Sequence, residues 1–95
     1  MMNNEERYNY ENCMREGDCL QKISKKLENT GDLVMAEYRC KEALHLYEKA
    51  YDIAKDNDIL AEHNAYAKIM DCQKQLKEIS YHYGKNTNED LSQSN

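Results

Sequence analysis

Glu42 and His45 stand three residues apart, a spacing that puts a carboxylate and an imidazole on one face of a helix. Di-iron helical bundles use two such Glu-x-x-His pairs together with two further glutamates. Neither His63 nor His82 has a glutamate three residues before it, so half of such a centre is missing. What remains is a solvated Glu–His pair. The four cysteines, Cys13, Cys19, Cys40 and Cys72, form no Cys-x-x-Cys pair, and Cys13 and Cys19 fall on different helix faces. Three of the four lie on apolar stripes, where a reduced cysteine behaves as a small hydrophobe. The three glycines are isolated and build no phosphate cradle, and neither a nucleophile elbow nor a paired-acid constellation is present. The sequence therefore offers no catalytic, cofactor-binding or metal-ligating residue, and the chain reads as a non-enzyme.

The tyrosines carry more information. All eight aromatic residues are tyrosines, mostly placed on or beside apolar stripes. Tyrosine supplies contact area with little entropy to lose and is enriched in binding surfaces. Tyr38 and Tyr51 flank the main stripe of the middle segment, and Leu46 lies off it. These three are the candidate interaction residues.

The elements that would position them are helical. Leu33, Ala36, Cys40, Ala43, Tyr47, Ala50 and Ala54 alternate spacings of three and four residues, one stripe of a helix over about 32–55. Five of the seven are Ala or Cys, so neighbouring helices can approach closely. Before it, a stripe through Tyr8, Tyr10, Cys13, Gly17, Leu20, Ser24 and Leu27, with Ile23 beside it, predicts a helix over about 8–29. It is read as nearly continuous with a weak point at Gly17, and a break there would make four helices instead of three. After it, Ala61, Ala65, Ile69, Cys72, Leu76, Ile79 and Tyr83 predict a helix over about 58–83, with Gly84 as its stop. Gly31-Asp32 and Asp56-Asn57-Asp58 supply the turns, each with a capping residue. Expected core packing residues are Leu20, Ile23, Leu27, Ala36, Cys40, Ala43, Tyr47, Ala50, Ile69, Leu76 and Ile79. The expectation is an all-α fold of antiparallel helices in a single domain over 8–84. It would be flanked by a flexible start at 1–7 and a disordered polar tail at 85–95.

The run from Leu20 to Leu44 resembles a tetratricopeptide repeat, a helix–turn–helix unit of about 34 residues. Leu20, Ile23, Ser24 and Leu27 stand at its first-helix positions, Gly31-Asp32 at its turn, and Ala36, Cys40, Ala43 and Leu44 at its second-helix positions. This suggests a repeat-like hairpin plus a packing helix. The segment Glu42 to Ala54 also looks like the middle helix of microtubule-interacting and trafficking domains, which are three-helix bundles that bind short helical motifs. Both resemblances imply a groove that holds another protein's helix or extended segment.

Composition narrows the function classes. Net charge is −5, with the basic residues dispersed, which disfavours a phosphate-tracking surface and hence nucleic acid. No apolar run reaches the roughly 18 residues of a membrane span, and MMNNEERYNYEN has no hydrophobic signal region, so the expected compartment is cytoplasmic. The leading expectation is an adaptor or regulator that binds a protein partner. A second is a small acidic inhibitor or immunity-type protein that blocks a basic, nucleic-acid-binding enzyme. A third is a homodimer paired through the Ala-rich stripe.

Overall fold

Asn3 and Glu6 open the chain as a capping box. The Glu6 N–H donates to Asn3 Oδ1 at 2.8 Å, and the Asn3 N–H donates to Glu6 Oε1 at 3.1 Å. The helix that follows, α1 (Asn4–Asn29), is succeeded by α2 (Leu33–Ala54) and α3 (Ile59–Gln93). This computed structural model describes the backbone of residues 1–93 and the side chains of residues 1–84, and no strand occurs among the described residues.

The turns form as the sequence predicts. Gly31 takes the left-handed conformation, φ 88°, and the Asp32 side chain caps α2 by accepting from the Met35 N–H at 3.2 Å. At the second turn Asp56 is left-handed, φ 64°, and Asp58 Oδ1 accepts from the Ala61 N–H at 3.1 Å. Two helix boundaries differ from expectation. First, α1 starts at Asn4, not near Tyr8, because the capping box satisfies its first amides. Met2 is buried in a cluster with Ala54 and Ala61, against Tyr10 and Ile53, so residues 1–7 are not a free end. Second, α3 continues through Gly84 to Gln93, so helical backbone replaces the expected tail up to that point. At Gly17 α1 runs on without a break, in line with the nearly continuous reading and not with a fourth helix. Ser94 and Asn95 lie outside the described residues.

The core lies along α2. Ala36, Cys40, Ala43, Tyr47, Ala50 and Ala54 are all fully buried, with α1 and α3 each packed along this helix. Ala61, Ala65, Cys72 and Ile79 of α3 are buried, and Ile69 and Leu76 pack partly buried against the Cys40–Tyr47 cluster. Leu20 joins that cluster from α1, and Leu27 is half-buried. Ile23, expected inside, is 40% exposed. The inward face of α1 is built instead from Gly17, Gln21 and Ser24, one helical stripe on which two residues are polar. Ile23 sits next to that stripe but turned about 100° from Ser24 around the helix.

The small-residue stripe of α2 is thus used up within the chain. A homodimer through it would require the fold to open.

Candidate functional site

Tyr47 is the largest fully buried side chain, and its position depends on Gly17. A Cβ at residue 17 would lie 2.6 Å from Cε1, 2.9 Å from Cδ1 and 3.0 Å from Cζ of the tyrosine ring. Only a residue without a side chain lets the ring lie flat on α1 here. The hydroxyl then reaches Asp18 Oδ1 at 2.6 Å and Gln21 Oε1 at 3.1 Å. One hydroxyl proton cannot serve two acceptors, and the short, charge-assisted bond to the carboxylate takes it. A half-turn of the Gln21 amide resolves the conflict, because Nε2 then donates to the tyrosine oxygen. In the opposite orientation that Nε2 is buried with no partner. Burial, followed by the bond to Asp18, holds the Tyr47 phenol far above its ordinary pKa, so it stays protonated. Lys68 Nζ, from α3, lies 3.3 Å from the same Asp18 oxygen. The network joins all three helices.

A second network lies two turns farther along α1. Ser24 Oγ donates to the Ala36 carbonyl at 2.5 Å, and Gln75 Nε2 of α3 donates to Ser24 Oγ at 2.9 Å and to Glu28 Oε1 at 3.2 Å. Cys40 Sγ lies 3.5 Å from both the Gln75 Oε1 and the Cys72 carbonyl oxygen, either of which can accept its single thiol proton. The Cys72 thiol is pushed well above its usual range, first by its hydrogen bond with Cys40 and then by burial. Both cysteines are reduced and buried; Cys13 is half-buried and Cys19 exposed. Glu42 pairs with Arg39 at 2.6 Å, so its carboxylate is engaged away from His45. Among the described residues no group of three His, Cys, Asp or Glu is gathered for a metal ion.

The three candidate interaction residues do not share one surface. Tyr38, 55% exposed near the start of α2, lies under the Arg39 guanidinium, whose carbon is 5.2 Å from the ring centroid. Leu46 lines a groove between α1 and α2 with Cys13, Ile53 and several polar residues. Tyr51 points the other way, to α3, where its ring meets Tyr66 with centroids 6.3 Å apart. Glu62 and His63 complete the lining of that cleft. Tyr66 is the residue that sequence reading passes over. Its exposed apolar neighbours on α3, Ile59 and Met70, stand seven residues before it and four after, which puts them on one helical stripe. That spacing was a usable signal. The pairing with Tyr51 was not, because it depends on how α2 and α3 align.

No helix among the described residues is long and apolar enough to cross a membrane. No family model, curated protein or solved structure gives a match to this chain.

Proposed function

We propose that the chain is a non-enzymatic protein–protein interaction module that docks a segment of a partner protein on the outer face of α2 and α3, around Tyr51 and Tyr66. The observation that carries this reading is the α3 stripe of Ile59, Tyr66 and Met70, exposed by 75%, 53% and 48%, which runs beside a cleft floored by two tyrosines. Isolated exposed apolar residues are ordinary, but an aligned row next to an aromatic cleft fits a docking surface. The two family resemblances in the sequence imply the same kind of task. The acidic balance of the chain favours a basic partner and faster encounter with it.

Affinity capture from the native cell extract, read by mass spectrometry, tests the reading. Tyr66→Ala and Tyr51→Ala should each abolish capture of a partner that wild type and Tyr38→Ala retain, with far-ultraviolet circular dichroism unchanged. Equal capture by all four proteins would count against this face. Leu46→Asp probes the α1–α2 groove, and loss of capture by that variant alone would move the docking site there.

A further inference from the structure

Among the described residues one finished arrangement of tyrosine, arginine and carboxylate occurs. At the start of α2 the Arg39 guanidinium covers the Tyr38 ring and binds Glu42 Oε1 at 2.6 Å. The Tyr51–Tyr66 cleft has the same tyrosine and carboxylate components, but among the described residues no lysine or arginine of the chain lines it. Its two rings are inclined at 48° with centroids 6.3 Å apart, and with Glu62 and His63 they line a cavity of about 310 Å³. Ring faces carry negative potential and Glu62 adds a full negative charge. A flat cation is therefore complementary in charge to three of the four residues that line the cavity.

We propose that this cleft seats the guanidinium of an arginine on a basic segment of the docked partner, stacked on a tyrosine ring and donating to the Glu62 carboxylate. This rests on the docking face proposed above. Arginine suits this cleft better than lysine because its guanidinium is planar, weakly hydrated and forked to match a carboxylate.

The test uses the full chain and a five-residue peptide, acetylated and amidated, with one central arginine between alanines. Matched peptides carry lysine or citrulline, the neutral isostere, at the centre. Titrations are followed through the proton resonances of the tyrosine rings. The arginine peptide should move the Tyr51 and Tyr66 signals saturably and leave Tyr38 in place. Lysine should bind about threefold more weakly, and citrulline should not bind. Glu62→Gln and Tyr66→Leu should each weaken arginine binding by about three- to fivefold. Equal shifts with citrulline, or arginine shifts that survive both substitutions, would overturn the proposal. If the arginine peptide is silent while Tyr66→Ala still abolishes partner capture, the cation seat is wrong and the docking face stands. Saturable arginine binding combined with normal capture by Tyr66→Ala would support the seat and overturn the docking face.

Discussion

Between α1 and α2 the backbones come together over small residues, with Gly17 under the Tyr47 ring and Ser24 donating to the Ala36 carbonyl. Between α1 and α3 the backbones stay apart, and long side chains span the gap. Tyr10 donates to the Ala61 carbonyl at 2.9 Å, Gln75 reaches Ser24 and Glu28, and Lys68 reaches Asp18. The first seam is defined by shape, so one added methyl group has nowhere to go. The second is a series of separate polar bridges, each worth on the order of 1 kcal/mol and each removable by itself. A close-packed seam fails abruptly, whereas a bridged seam weakens in steps.

Gly17→Ala should therefore have the largest effect. Overpacking costs about 1–3 kcal/mol, displacing the Tyr47 hydroxyl adds a similar amount, and better helix propensity returns about 1 kcal/mol. The expected net loss is about 3 kcal/mol, measured by urea unfolding, a large share of the stability of a small domain. Tyr47→Ala made in the Gly17→Ala background should cost clearly less than in wild type, because the clash disappears with the ring. Additive losses would show that the two residues are not in contact.

Tyr47→Phe comes next, at about 1–3 kcal/mol, since the ring stays while Asp18 and Gln21 lose their shared partner. This substitution also changes the response to alkali. The pKa of Tyr47 is raised in the folded chain above its unfolded value of about 10. The folded state keeps a proton that the unfolded state releases once pH passes that value. The resulting stability is complete below pH 10 and declines by about 1.4 kcal/mol per pH unit above it. Tyr47→Phe should flatten this decline in unfolding experiments between neutral and strongly alkaline pH, and an unaltered slope would argue against the buried phenol as its source.

Ser24→Ala removes one bond from each seam, to the Ala36 carbonyl and from Gln75, and should cost about 1–2 kcal/mol because Gln75 keeps Glu28 as an acceptor. Lys68→Ala is the mildest change. The pair with Asp18 is more than a third exposed on both sides, so its loss should be about 0.5 kcal/mol or less and vanish in high salt. A Lys68→Ala effect as large as that of Gly17→Ala would erase the distinction between the two seams.

How far the sequence reveals this structure differs by helix. On α2 the buried stripe follows hydrophobicity and small size at helical spacing and is read correctly from Ala36 to Ala54, and on α3 Ala61, Ala65, Cys72 and Ile79 are read correctly while the buried Gln75 is missed. On α1 the same approach puts Ile23 inside and overlooks Gln21, because a buried glutamine is stabilised by a tyrosine 26 residues away that hydropathy does not register. The early start of α1 was visible in the Asn3-x-x-Glu6 box. The long continuation of α3 was not, because Gly84 is ordinarily a stop signal. The candidate cleft was half visible: Tyr51 flanks its own stripe, but Tyr66 joins it only through the alignment of two helices.

Gly17 also decides which alignment of α1 and α2 exists at all. A stripe of alanines is smooth, and by itself it would allow one helix to slide past the other by a turn, about 5.4 Å. One turn along α1 in either direction brings Cys13 and Met14, or Leu20 and Gln21, beneath the Tyr47 ring, and each carries a side chain where the ring needs bare backbone. The glycine thus acts as a register pin, excluding slipped hairpins that the apolar pattern alone would accept.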